Sequence, residues 1–473
     1  MMRTTLNKYF LSRATVVYLV SLLTCCILYS SHWMTWYWML AGIIEVTLFY
    51  YVSTYLENKG NKESSVSFER QLFWGTLSLR LIWVIGFYLF TKSVWNTPWE
   101  QPIGTSMDST GYFDEALWLR EMILNKNIAP YLLYISTSLD DAGYPIFLGI
   151  LSLLTNDNVF VTRLPNIFFD AWTVVLTYRI AKRNFGENVA RTAGVFTMLT
   201  PMLIFYSGTT MKESLMLMLA TWALERGDFT IRNRSFTGFS FLAFLLLTAS
   251  ILLFRTALAW VLVLSFICAL LLSSKKIIDN SRRITIIIIL VVLGCAFMGR
   301  SLMNQSSELI EQVESTGANF EFRATREGGN VLVSNLSKAM LAPIIFTLPF
   351  PTMVEIEGQN IQQLQNGGFY LKNVLSFFVV FSLIVLLKRR AWGGNVMIIA
   401  YLVGYLLVLS MSSFAHSGRF HHPVLPMEMT FAALGISFIK NKRQADLFNY
   451  FLFLEILIIV FWNGFKLKGR GLL

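Results

Sequence analysis

Apolar residues in this chain come in blocks about 18 to 20 residues long, the length of a helix that crosses a hydrocarbon layer. Short polar, basic clusters separate them. The blocks 14–31 and 33–51 predict a helical hairpin, and 72–90 predicts a third crossing after the Lys- and Glu-bearing loop 57–70. Further spans are expected at 164–181, 190–205, 214–224 (reaching back through Met211), 236–254, 257–272, 284–298, 374–387, 396–411, 424–439 and 447–462. The run 143–154 is strongly apolar but too short to cross, so it is expected in the interface or as a re-entrant piece. The pattern predicts an all-α polytopic membrane protein of about 12–13 transmembrane helices, with amphipathic interfacial helices in two large outer loops.

Basic residues then set the orientation. Lys182, Arg183 and Arg191, the group Arg226/Arg232/Arg234, the group Lys275/Lys276/Arg282/Arg283, Lys388/Arg389/Arg390 and Lys440/Lys442/Arg443 all fall in loops that alternate to one side, which is cytoplasmic by the positive-inside rule. The chain divides into an N-terminal hairpin with its cytoplasmic loop (1–71), a transmembrane core (72–300) carrying a first external loop at about 92–165, a second external loop (301–371) and a C-terminal group of spans (372–473). Composition fits this picture, with 55% hydrophobic and 14% charged residues. The net charge of +11 arises from the orienting clusters and does not indicate nucleic acid as a partner. Cys25, Cys26, Cys268 and Cys295 all lie in apolar blocks, which argues against a disulfide or a cysteine-bound metal. The basic start MMRTTLNKYFLSR runs into an apolar block without a small-residue cleavage site, so a retained first span is expected. One element breaks the alternation: with thirteen spans, Lys466, Lys468 and Arg470 fall outside. Either the last segment does not cross, or those cations bind something on the outer face.

Candidate chemistry concentrates on that outer face. The stretch 105–120, TSMDSTGYFDEALWLR, reads as a surface helix with Asp108, Tyr112 and Glu115 on one solvent-facing side and Phe113, Ala116, Leu117, Ile123 and Leu124 on an apolar stripe. Lys212, Arg255 and Arg419 stand at outer ends of spans, where the orientation rule disfavours cations, and Glu213 stands beside them. An anionic ligand, phosphate above all, accounts for such cations. Asp170 is expected to form a buried structural pair on a face shared with Arg163 and Tyr178. Glu45 and Glu455 are intramembrane acids assigned to helix packing or a polar cavity. Asp140 and Asp141 before a Gly-Tyr-Pro turn are weak candidates for a divalent metal, turn chemistry being the commoner use. His416, His421 and His422 lack a metal-binding spacing and are assigned to interfacial hydrogen bonding.

Asp108, Tyr112 and Ala116, spaced D-x3-Y-x3-A after an outward-going span, resemble the first external loop of the GT-C class of membrane glycosyltransferases, especially family 39 with its protein O-mannosyltransferase and aminoarabinose transferase relatives. The similarity continues through GYPIFLGILSLL, RLPNIFFDAWTVVLTYRIAKRNFGENVAR and Pro201-x4-Tyr206-Ser207-Gly208-x4-Glu213, and GRFHHPVLP resembles the family's Arg-aromatic-x-x-Pro-x-x-Pro stretch. The resemblance implies inverting transfer of a sugar from a polyprenyl-phosphate donor to a lipid, glycan or protein hydroxyl, on the periplasmic side of a bacterial inner membrane, as a step in making a cell-envelope glycan. It makes Asp108 the candidate general base and Glu213 the second external acid. Many relatives carry Asp-Glu at the first position, whereas Ser109 follows Asp108 here and the adjacent pair is Asp114-Glu115, so the choice of base stays open among them. Lys212, Arg255 and Arg419 are assigned to the donor phosphate by position and charge, and a divalent metal is possible rather than required. Two other classes remain: a polymerase of lipid-linked oligosaccharides, and a lipid or sugar transporter.

Overall fold

The computed structural model describes residues 3–60, 63–100, 108–137, 139–272, 344–410, 412, 414–439 and 441–473. The predicted span 284–298, Cys295 and most of the second external loop lie outside these residues. Among the described residues there is no strand, and one isolated bridge joins Trp33 to Val354. The protein is an all-α polytopic membrane protein.

The first helices are α1 (Arg3–Leu28), α2 (Trp36–Gly60) and α3 (Ser65–Val94). They are followed by α4 (Asp108–Leu124), α5 (Ala129–Thr137), α6 (Gly143–Thr155) and α7 (Val159–Phe185). Next come α8 (Glu187–Leu199), α9 (Pro201–Ser207), α10 (Glu213–Asn233), α11 (Phe239–Ile251) and α12 (Thr256–Leu272). The remainder are α13 (Asn360–Leu364), α14 (Asn366–Lys388), α15 (Val396–Ser410), α16 (Gly418–His421), α17 (Leu425–Phe438) and α18 (Lys442–Lys468). Five described helices are long and apolar enough to cross a membrane: Trp36–Asn58, Ser65–Val94, Val159–Phe185, Asn366–Lys388 and Lys442–Lys468. The segments Arg13–Leu28, Phe239–Ile251, Thr256–Leu272 and Val396–Ser410 are apolar but shorter.

Local signals account for the boundaries. Asn158 caps α7 by accepting from Phe160 N at 3.0 Å, and Gly186, at φ +86°, ends that helix in a conformation costly for other residues. Asn441 and Gln444 form a capping box at the start of α18.

Two predicted spans differ from the structure. The block 190–205 is a broken pair, α8 and α9, bent by 50°. Pro201 lacks an N–H and pushes Thr200 out of the helical region, to ψ 116°. Helix α10 begins at Glu213 rather than reaching back through Met211, and it continues well beyond 224, because the charges of its last turns are paired and need not leave the helix.

Helix α7 is the hub, packing on α3, α8 and α10. Asp170 is buried on it, but its partner is Arg80 of α3 at 3.2 Å, not Arg163. The α3–α7 crossing brings Arg80 to that level, where its Nη1 also donates to Met198 O at 3.0 Å. Tyr178 turns instead to Ser65 and Glu187, at 2.9 and 2.7 Å. A second tight crossing joins α14 and α17. A Cβ at Gly435 would stand 2.1 Å from the carbonyl oxygen of Phe378, so only glycine lets the two backbones meet.

Candidate active site

Helix α4 lies on α6, and its register differs from the expected one. Ser109, Tyr112, Phe113, Ala116 and Leu119 are the buried stripe, whereas Asp108 and Asp114 are exposed. Tyr112 therefore faces inward, its ring 5.6 Å from that of Tyr144. The cause is the close α4–α6 approach at Gly149, where a Cβ would lie 3.2 Å from Ala116 O. Glu115 sits away from Asp108 and accepts from Tyr131 of α5 at 3.0 Å.

Asp108 meets residues from distant parts of the chain. The Arg419 guanidinium, on the short helix α16, contacts both the Asp108 carboxylate and that of Glu213, and its Nη2 donates to Tyr112 OH at 3.2 Å. The Asp108 side chain is 59% exposed while Glu213 is fully buried. One guanidinium thus joins an accessible acid to an inaccessible one. Among the described residues Glu213 Oε2 has no hydrogen-bond partner. Burial raises the Glu213 carboxyl above the usual range, opposed by the positive charges of Arg255 and Lys212.

Lys212, the residue before α10, ion-pairs with Asp141 and donates to Phe254 O at 2.6 Å. Burial and the neighbouring Arg255 push its ammonium down to about 8. The next residue after Phe254 is Arg255, whose Nη1 donates to Tyr405 OH at 3.1 Å and whose guanidinium lies 4.5 Å from the Phe420 ring centroid. Among the described residues no carboxylate lies within 4.0 Å of it. The structure thus brings Asp108, Tyr112, Lys212, Glu213, Arg255 and Arg419 to one place. Asp114 and Glu115 are not part of the Arg419 contact.

Asp140 and Asp141 diverge: Asp140 accepts from Thr256 Oγ1 at 2.7 Å, while Asp141 serves Lys212. Among the described residues no group of three or more His, Cys, Asp or Glu is arranged to hold a metal. The three histidines also separate. His421 bonds Ala415 O at 2.8 Å, His416 stacks on Trp462, and His422 packs edge-on to Tyr206 at 4.8 Å between ring centroids. Burial, with Arg255 and Arg419 nearby, pushes His422 down to about 3, so its ring is neutral.

Glu100 was not among the residues singled out from the sequence, and Arg163 was placed only on the face of Asp170. Glu100 is buried 3.7 Å from Arg163, which also donates to Thr210 Oγ1 at 3.3 Å. Arg163 thereby braces the turn that presents Lys212 and Glu213. The available clue to Glu100 was an acid directly following a tryptophan, Trp99, a residue type common at the membrane interface.

Residues 120–302 match the model of a family of membrane glycosyltransferases of the GT-C type. The family is the Alg9-like mannosyltransferase family. The matched region includes Lys212, Glu213 and Arg255 but neither Asp108 nor Arg419. The finding supports the GT-C class and does not single out family 39 or the aminoarabinose transferases. No curated protein and no solved structure matches the chain.

Proposed function

We propose that the protein is a membrane glycosyltransferase that moves a sugar from a polyprenyl-phosphate donor to an acceptor hydroxyl at the outer face, with inversion at the anomeric carbon. The observation that carries this reading is the junction of Asp108, Glu213 and Arg419 beside Arg255, a cation without a carboxylate partner among the described residues. The family match adds mannose as the first sugar to test.

In this mechanism Asp108 takes the proton of the acceptor hydroxyl as its oxygen attacks the anomeric carbon. The bond from that carbon to the phosphate oxygen breaks, and Arg255 and Lys212 balance the charge developing on the lipid phosphate. Arg419 has a double role. A phosphate arriving there competes with Asp108 for the guanidinium, so donor binding frees the base at the moment it is needed. Glu213 stays behind as the fixed anchor of Arg419.

The test is to incubate purified protein in lipid nanodiscs with polyprenyl-phosphate mannose, other polyprenyl-phosphate sugars and a lipid-diphosphate oligosaccharide, each with candidate acceptors. Release of polyprenyl phosphate from a monophosphate donor is expected. Turnover of the diphosphate donor alone would make the protein a polymerase, and turnover of none would return it to the transporter class. Asp114→Cys, exposed on α4, is expected to react with an impermeant thiol reagent in intact cells, whereas Arg389→Cys is expected to be protected.

A further inference from the structure

Among the described residues, three of the buried cations sit against a carboxylate. Arg80 has Asp170, Arg163 has Glu100 and Lys372 has Glu428, at 3.2, 3.7 and 3.3 Å. Lys466, half-buried near the end of α18, is placed differently. Its side chain leaves the helix and reaches the segment before α13, with Nζ 2.5 Å from Thr352 Oγ1 and 3.3 Å from Gln359 Oε1. The third neighbour is the Trp462 ring, 5.4 Å from Nζ to its centroid, with the His416 ring stacked on it at 5.5 Å. Two neutral oxygens and an aromatic face orient an ammonium without neutralising it. Among the described residues no carboxylate pairs with it. The acid nearby in sequence, Glu355, is committed to Thr35, accepting from its N and Oγ1 at 2.9 Å each.

A lysine in the last turn of a helix ordinarily complements the helix dipole. Lys468, exposed at the same helix end, is placed to do so. Lys466 is turned away from that task and held half-buried against these polar groups, with Arg470 exposed beside it, donating to Glu357 O at 3.4 Å. These residues lie toward the end of the bundle that holds the candidate active site. Thr352 N donates to Asn366 Oδ1 at 2.7 Å at the start of α14, and a Cβ on Gly418, next to Arg419, would touch the Phe369 ring one turn further along.

We propose that Lys466, Thr352, Gln359 and Arg470 form a second anion site that binds the phosphate of a membrane lipid headgroup, separate from the site at Arg419. The ammonium supplies the charge, the Thr352 hydroxyl a further donor, and Trp462 and His416 an interfacial wall of the kind that sits at headgroup depth. This assignment rests on the membrane-spanning fold and not on the glycosyl-transfer reading.

The test is a native mass-spectrometric titration of the full-length protein with phosphatidylglycerol. One tightly held lipid is expected, weakened about tenfold or more in Lys466→Met, retained in Lys466→Arg and unchanged in Lys468→Met. Equal lipid retention in Lys466→Met and the wild type overturns the site. Inorganic phosphate is expected to compete poorly; displacement of the lipid by inorganic phosphate at equal concentration overturns the lipid source and leaves a free-anion site. Should Lys466→Met fail to fold, lysine acylation of the wild-type protein read by peptide mass spectrometry decides. Added phosphatidylglycerol is expected to lower the labelling of Lys466 more than that of Lys468, and an equal change, or none, at Lys466 overturns the proposal.

Discussion

Helices α7 and α10 run side by side, and each carries charged groups at both ends. At one end Arg183 donates to Asp228 Oδ2 and to Glu225 O, both at 3.1 Å, and also contacts the Glu225 carboxylate. Asn184 and Arg232 close the remaining positions on Asp228, each at 3.1 Å, and Arg226 takes the other Glu225 oxygen at 2.5 Å. Every carboxylate oxygen there is used. At the opposite end Glu213 keeps one oxygen without a partner, Arg255 keeps its charge without an acid, and neither ring nitrogen of His422 is bonded, all among the described residues. The same residue types therefore form a closed network at one end and an open one at the other. Buried polar groups are normally satisfied, and this spare valence is what the proposed donor phosphate and acceptor would use.

The sharpest way to break this comparison is to remove the accessible acid of the open end. Asp108→Asn preserves size and polarity and is expected to cut turnover by about 10²- to 10⁴-fold with donor binding nearly intact; unchanged single-turnover rates would move the base elsewhere. Next, Arg255→Ala is expected to lose a charge-assisted contact to donor phosphate of about 1.5–3 kcal/mol, roughly a 10- to 100-fold weaker binding isotherm. The closed end should respond in stability instead. Arg183→Ala takes one partner from each of two acids that keep Arg232, Asn184 and Arg226, and because Arg183 is also 22% exposed the expected loss is about 1–3 kcal/mol rather than the full buried-pair cost. Denaturant titration reads it, and transfer per folded molecule should not change.

A pH profile sharpens the picture further. The Lys212 ammonium is charged below about 8 and loses its proton as pH rises through that value. Transfer that depends on it should fall about tenfold between pH 7 and 9, and Lys212→Arg should flatten that limb. The smallest effect belongs to Asp114→Asn, on the exposed side of α4, which is expected to stay within about twofold of wild-type turnover. A large loss there would return the choice of base to the Asp114-Glu115 pair.

The all-α membrane fold was legible because apolar block length reports directly on helices that meet lipid. The candidate site was legible in part, since cations placed against the orientation rule at 212, 255 and 419 had to be held by something. Which acid each would face was not legible. Arg80 finds Asp170 only because α3 crosses α7 at that height, and sequence spacing along α7 suggested Arg163. The inward turn of Tyr112 follows from the Gly149 contact, a meeting between helices that the i, i+4, i+7 spacing does not encode. The break between α8 and α9 did have a signal, Pro201, which the surrounding apolar run outweighed.

Gly435 has a reach well beyond its own contact. Helix α17 leads back through about 15 Å of rigid rod to the segment that carries Arg419, while α14, which it touches, leads to Gln365 and Asn366 near Tyr206. The backbone contact with Phe378 sets the spacing between the two rods. A methyl group placed there would pry them apart, and the displacement is expected to carry the Arg419 guanidinium away from Asp108 without altering a residue of the candidate site. The spacing of Arg419 and Asp108 is gauged by a hydrogen atom far from them.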